Sequence, residues 1–330
     1  MQWLNADIPT VNSQIAALAI AAGLDYIIGD PWSWPHPVQL MGKVIDSYTQ
    51  RAVQLTRSDI ARRWAGIGLA ILLIVGSAFV SWAGLYLIGQ LSAGLRLVAE
   101  SILLASCFAG RSLRDAADSV LKPLQAGDRE AARQTLAMYV GRDTERLSDT
   151  EMYRAVLETA SENAVDGVLA PLFYAIVGAF FGLSGPVAIA YKAASTLDSM
   201  VGYRREPYTH LGWFSAQLED RLTWLPCRLS VLTIALLSGK AAHVLKLCAR
   251  DASADPSPNA GWSECAYAAS LGVQLGGTNT YKGKVKVKPL LGEAMHTITD
   301  ATISQAFSLT RRSFLLGLGV GIGSLYLTTK

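Results

Sequence analysis

Apolar residues in this chain gather into long charge-free runs, and polar stretches with helical periodicity separate them. No charged residue falls within 64–95, 167–191 or 313–329; 8–24 is a weaker run, and 222–239 is broken only by Arg228. At about 1.5 Å per residue, roughly 20 helical residues cross the ~30 Å hydrocarbon core of a bilayer. The first two long runs meet that length and the third is marginal. The pattern predicts about four or five membrane segments, the weak ones buried or interfacial. The runs are continuous rather than alternating, which argues against a strand-rich barrel. The predicted fold class is all-α. It is a polytopic membrane protein, one domain over 1–330, whose site is built by polar helical and loop segments and which ends in a membrane helix at 313–329.

Composition agrees. Hydrophobic residues make up 51% of the chain and charged ones 17%, with a net charge of +3. That charge is too small to indicate a nucleic-acid partner. The N-terminus lacks the basic region of a secretory signal, and Asp7 precedes the first apolar stretch. Arg311-Arg312 imitates a twin-arginine signal but reads as a basic anchor before the last helix. Neither the four cysteines nor the four histidines fall at metal-cluster spacing, so a metal cluster or a disulfide scaffold is not indicated. Residues 240–312 carry nine Lys and Arg against five Asp and Glu, which places that segment on the cytoplasmic side.

The polar segments hold the candidate chemistry. Glu158, Glu162 and Asp166 fall at i, i+4 and i+8, at the front of an uncharged run. On one helix they share a face, and three like charges there need a cation or basic groups beside them. The face is either a site or a solvated helix end. Gly141-Arg142-Asp143-Thr144 signals a turn, and Asp149 is the expected cap of the helix that follows. Beyond the apolar run, Lys192, Ser195 and Ser199 share a face with Asp198 beside it. A lysine among hydroxyls suits a phosphate or carboxylate, or else pairs with Asp198 to seal a helix end.

Two loops stand out further on. Pro256, Pro258, Asn259 and Gly261 enforce a defined loop before a helix bearing Trp262 and Glu264. Residues 275–283 read as a glycine-rich loop whose N–H groups, at Gly276 and Gly277, suit phosphate. Lys282, Lys284, Lys286 and Lys288 alternate, so on a strand they share a face, either a basic edge toward solvent and lipid headgroups or an anion site. No P-loop pattern occurs. Near the N-terminus, prolines hold Asp30 and His36 where an apolar helix ends, which favours a functional loop.

The motifs GDP…WPHPVQLMG, VGRDT, ETASENAVDGVLAPLFY, AYKAASTLDSMVGY, SPNAGWSE and LGVQLGG, in this order, resemble the CbiB/CobD family, the adenosylcobinamide-phosphate synthases of cobalamin biosynthesis. The resemblance runs from about residue 25 to 293. Two departures are small. Asp255-Pro256 stands where a basic residue or histidine usually precedes Ser-Pro-Asn, which leaves the residues just before Ser257 without a role. Leu218-Glu219-Asp220 replaces the commoner Leu-Asp-Asp.

The resemblance implies a multi-pass enzyme of the cell membrane with its site on the cytoplasmic side. It would join the side-chain carboxylate of adenosylcobyric acid to aminopropanol or aminopropanol phosphate, using ATP and Mg²⁺. Other corrinoid-pathway enzymes would be its partners, and the lipid bilayer its surroundings. Residue types fit this chemistry. Glu158, Glu162, Asp166 or Asp198 would supply Mg²⁺ ligands. Lys192 and the 276–283 loop would hold phosphates. His36 or a carboxylate would take the amine's proton. Asp30, Asn163, Ser195, Ser199, Tyr203, Asn259, Trp262, Glu264, Gly276, Gly277 and Tyr281 complete the expected binding set.

The rival readings are a transporter that uses intramembrane Asp and Lys, and a non-catalytic membrane scaffold. If 167–191 and 222–239 both crossed fully, Lys192 would lie opposite the 240–312 segment. One of the two runs is therefore expected to be re-entrant, or the two motifs to serve different steps.

Overall fold

A computed structural model describes residues 9–29 and 36–329. The expected site residue Asp30 lies outside them. In chain order the elements are α1 (Val11–Ile27), α2 (Pro37–Leu55), α3 (Asp59–Leu91), α4 (Ala93–Ala105), α5 (Gly110–Gln125), α6 (Arg129–Leu136), α7 (Asp149–Ala164), α8 (Ala170–Ala179), α9 (Ser184–Val201), α10 (Tyr208–Leu211), α11 (Trp213–Leu237), α12 (Ala241–Asp251), α13 (Ala260–Leu271), β1 (Gln274–Tyr281), β2 (Lys284–Gly292) and α14 (Asp300–Leu327). A π turn, Val165–Leu169, joins α7 to α8. The two strands pair antiparallel, so the all-α expectation is corrected to mostly helical with one small sheet.

The chain divides into two compact units. The first gathers the described residues of 1–109, 170–222 and 317–330; the second gathers 110–169 and 223–316. In the first, α3 packs on α4, α9 and α10, and α1 packs on α4. Ser58 caps α3, which runs without a break to Leu91; the extended Ser92 then separates it from α4 within the charge-free region. The 33 residues of α3 reach about 50 Å at 1.5 Å each, ample for a bilayer. Ile71, Leu72, Val75, Phe79, Val80 and Leu87 of α3 are exposed in the chain, and lipid is the solvent that suits so apolar a surface.

Two helical stretches are long and apolar enough to cross a membrane, Asp59–Leu91 and Ala93–Gln125. The second leaves the helix at 106–109 and then carries Arg111, Arg114, Asp115 and Asp118, so its apolar part is α4. The expected count of four or five is not reached among the described residues. The run 167–191 is no single helix: α8 and α9 fold against each other around a turn at 180–183. Gly182 adopts a φ of +69° in that turn, and Pro186 sits in the first turn of α9, where its missing N–H costs nothing. The run 222–239 lies in α11 behind Glu219, Asp220 and Arg221, and 313–329 is the second half of α14.

No side chain of its own turn caps α9. Gln14 and Glu100, from α1 and α4, do so instead. Gln14 Oε1 accepts from the Ser184 N–H at 3.1 Å, and Glu100 Oε1 accepts from the Gly185 N–H at 3.3 Å. Gln14 in turn donates to both Glu100 oxygens at 3.0 Å. A buried helix start would otherwise leave unpaired donors.

The second unit has an apolar core contributed by α5, α6, α7, α11, α12, α13 and α14, with Leu157, Met152, Ile234 and Tyr267 fully buried. Ser148 and Glu151 form a reciprocal capping box at the start of α7. The cap is therefore one residue before the expected Asp149, which instead pairs with Arg129. Residues 275–283 are corrected from loop to strand. Gly276 and Gly277 take φ of +85° and +88° opposite a bulge in β2, where Pro289 and Leu290 face the single residue Gly276, and a Cβ on Gly276 would lie 1.9 Å from the Pro289 carbonyl oxygen.

Candidate active site

The acidic face of α7 meets the basic groups it requires inside the second unit. Glu158, 2% exposed, has both oxygens engaged. Arg142 Nη2 donates to Oε2, the Gly276 N–H donates to Oε1 at 2.9 Å, and Arg154 Nη1 lies 3.8 Å from Oε1. Arg154 also donates to the carbonyl oxygens of Gly276 and Thr278. Arg142 and Arg154 share Asn279 Oδ1, at 2.9 and 3.2 Å. Asp143 closes the arrangement at the hairpin tip, where its carboxylate accepts from the Lys282 and Gly283 N–H groups at 2.8 Å each. VGRDT is therefore the clamp that holds the β-hairpin to α7.

Deeper in, Lys288 of β2 approaches Glu264 of α13 at 3.3 Å. Glu264 is 1% exposed, and its second oxygen, Oε2, has no hydrogen-bond partner. Burial pushes the Glu264 carboxyl up to about 8; Lys288 opposes that shift, and Glu162, Glu158 and Asp255 add to it. Burial alone would discharge Lys288, but the four carboxylates Glu264, Glu162, Glu158 and Asp255 outweigh it and hold the ammonium charged.

Glu162 stands at the edge of this group. It is solvent-accessible and makes no hydrogen bond or ion pair among the described residues. Even so, desolvation by surrounding protein raises its pKa, with Asp255 and Glu158 adding and Lys288 and Arg142 opposing. Asp255 contributes a further buried oxygen without a partner, Oδ2, while its Oδ1 accepts from the Ser257 N–H at 2.8 Å. Gly261 permits that approach, since a Cβ there would lie 2.6 Å from the Asp255 Cβ.

The structure thus joins Glu158, Glu162, Glu264 and Gly276. It adds Arg142, Arg154, Lys288, Asn279 and Asp255, which the sequence reading did not place in the site. Their signal was present in VGRDT and in the alternating lysines, but only pairing across the fold gives them a role. Asp166 lies in the π turn that follows α7. Gly277 adjoins Arg154, and Tyr281 packs under Lys286 at 5.9 Å.

Asn163 donates to the Thr159 carbonyl and lines an apolar cleft of about 280 Å³ with Leu113, Val120, Tyr139 and Val156. Asn259 accepts from Arg228 at 3.1 Å, and the Arg228 guanidinium lies between the rings of Trp224 and Trp262, at 5.2 and 4.6 Å.

The remaining expected residues belong to the first unit. His36 caps α2, its Nδ1 accepting from the Val38 N–H at 3.2 Å. Lys192 makes no ion pair among the described residues, so the seal with Asp198 does not form there. Ser199 donates to Thr196, and Tyr203 donates to the Ser199 carbonyl at 2.7 Å. Asp198 packs against Gly202, where a Cβ would meet its Oδ1 at 2.0 Å. Ser195 is half-buried on the same helix.

No group of three or more His, Cys, Asp or Glu among the described residues is placed to hold a metal ion unaided.

The model of the CobD/CbiB protein family matches residues 18–310. The cobalamin biosynthesis protein CobD of Synechocystis sp. is 52% identical over 95% of this chain and 93% of its own length. CobD of Klebsiella pneumoniae is 40% identical over 94% and 98%, and CbiB of Salmonella typhi is 40% identical over 94% and 97%. No solved structure matches. With a family match over most of its length, and with the motifs of that match forming the buried charge cluster, the chain belongs to the CobD/CbiB family.

Proposed function

We propose that this protein is an ATP-dependent amide ligase of cobalamin biosynthesis, joining the carboxylate of adenosylcobyric acid to aminopropanol or aminopropanol phosphate. The observation that carries the reading is the cluster of Glu158, Glu162, Glu264 and Asp255 with Arg142, Arg154 and Lys288, assembled from separate family motifs. A corrinoid carboxylate is a poor acyl donor until ATP converts it to an acyl phosphate. The amine must then be held, deprotonated and directed at that carbon.

Mg²⁺ would come with the nucleotide, taking one or two protein carboxylates plus phosphate oxygens and neutralising their charge. Glu162, with no hydrogen bond or ion pair among the described residues, fits that part. Asp166 is the second oxygen donor of the proposal. Glu158 does not fit, because guanidinium and amide N–H groups occupy both its oxygens. Lys192 is proposed to grip a phosphate. The enzyme is proposed to span the bilayer several times, with this site facing the cytoplasm and other corrinoid-pathway enzymes nearby.

The test uses purified full-length protein in detergent or nanodiscs, with ATP, Mg²⁺, adenosylcobyric acid and each amine in turn. The reading expects amide product and ATP cleavage only when corrinoid and amine are both present. Corrinoid movement across a vesicle membrane without amide formation would replace it with the transporter reading. Inertness toward both amines would leave a scaffold.

A further inference from the structure

We propose that Glu264, together with Asp255, is the docking site for the ammonium group of the amine substrate, and that Glu264 Oε2 takes the proton that frees the nucleophile. The inference rests on the ligase reading and adds to it the residue that activates the amine.

Charge balance supports the assignment. Four carboxylates, Glu158, Glu162, Glu264 and Asp255, face three cations, Arg142, Arg154 and Lys288. The surplus of one negative charge is met either by a proton or by one monocation. Two buried carboxylate oxygens in this group lack any donor among the described residues, Glu264 Oε2 and Asp255 Oδ2. An unpaired buried acceptor costs free energy, which a ligand N–H recovers on binding. An alkylammonium brings three N–H donors and one charge, so it matches both the charge and the empty acceptors.

Glu264 is also the group suited to accept the proton. Lys288 holds Oε1 at 3.3 Å and leaves Oε2 open. The charged groups around it are Lys288 of β2, Glu158 and Glu162 of α7, and Asp255 of the loop before α13. On the other side of α13, α12 presents the buried thiol of Cys248 to Cys265. Burial raises Glu264 to about 8, a basicity closer to that of an alkylammonium than an ordinary carboxylate has.

In the step itself, the ammonium gives one proton to Glu264 Oε2 and becomes a neutral amine. Its lone pair attacks the acyl phosphate carbon, the C–N bond forms, and the C–O bond to phosphate breaks with its electron pair. The second nitrogen proton leaves with the departing phosphate.

Two measurements test the assignment. In steady-state amide formation, Glu264→Gln is expected to lower kcat/KM for the amine by about a hundredfold or more and to abolish its rise with pH, while KM for ATP and for the corrinoid changes little. Glu264→Asp is expected to retain the pH limb at reduced rate. Equal losses toward all three substrates, or a pH limb unchanged in Glu264→Gln, overturn the proposal.

The second measurement uses the wild-type protein and needs no turnover. Dicyclohexylcarbodiimide, which modifies protonated buried carboxyls, is expected to label Glu264, and n-propylammonium is expected to protect it where Mg²⁺ does not. Protection by Mg²⁺ alone, no protection, or no labelling overturns the proposal. If wild-type protein forms no amide but n-propylammonium still protects Glu264, the ligase reading fails while the ammonium site stands.

Discussion

The Gly276 N–H donates to Glu158 Oε1 at 2.9 Å, joining residues 118 positions apart. One family motif supplies the carboxylate and another the backbone that holds it. The bond forms at Gly276, which faces the β2 bulge at Pro289 and Leu290, with φ at +85° and the Pro289 carbonyl leaving no room for a side chain. Gly276→Ala is expected to destabilise the second unit by at least about 1 kcal/mol and to lower activity with it. Thermal unfolding of the purified variant in detergent checks this; an unchanged midpoint means that the strand accepts a Cβ there.

Arg142 and Glu158 are 6% and 2% exposed, so their pairing takes place away from water. Removing one partner leaves a buried charge, at a cost of about 3–5 kcal/mol. Arg142→Met and Glu158→Leu are each expected to show that loss in denaturant unfolding. The double variant Arg142→Met/Glu158→Leu is expected to recover part of it. Additive losses in the double variant would show that the two side chains do not act as a pair.

Glu264 has an ordinary value of 4.5 and a folded value of about 8. The folded state therefore binds this proton more tightly than the unfolded chain. Its contribution to stability is greatest below pH 4.5 and is lost as pH rises toward 8. Glu162, also raised, slopes the same way, while Lys288 stays charged in both states across this window. Between pH 5 and 8 the unfolding midpoint of the wild type is expected to fall relative to that of Glu264→Gln. Parallel curves for the two proteins would mean that Glu264 titrates alike in folded and unfolded chains.

Trp262 lies under the Arg228 guanidinium, with its ring 4.6 Å away. A half-buried indole offers a broad apolar face to a corrin ring. Trp262→Ala is expected to raise KM for the corrinoid more than KM for ATP, while Arg228→Lys, which keeps the charge, changes the corrinoid KM less. If both kinetic constants move together in Trp262→Ala, the indole serves only to hold Arg228.

Much of the local structure was readable from residue order. Most of the 64–95 run forms α3, the proline- and asparagine-rich loop ends at α13, and Lys284, Lys286 and Lys288 lie on a strand. Errors arose where local patterns were ambiguous. An uncharged stretch of 25 residues, 167–191, has the composition of one membrane helix, yet Gly182 lets the chain reverse within it. Two adjacent glycines look like a loop, but both lie in a paired strand opposite a bulge in its partner. Asp149 and Ser148 are both good caps, and only the reciprocal bond to Glu151 distinguishes them.

Sequence by itself determined the family, the apolar helices, and the acidic face that needed basic partners. These follow from periodicity, composition and long ordered motifs, all of which are local in the chain. Tertiary structure alone decided which cations answer that face. Arg142, Lys288 and Asp255 come from a turn, a strand edge and a proline-rich loop, and no spacing rule relates them to Glu158, Glu162 or Glu264. Desolvation and pairing depend on distance in space and not along the chain, so the charge state of Glu264, and with it the proposed chemistry, becomes defined only after folding.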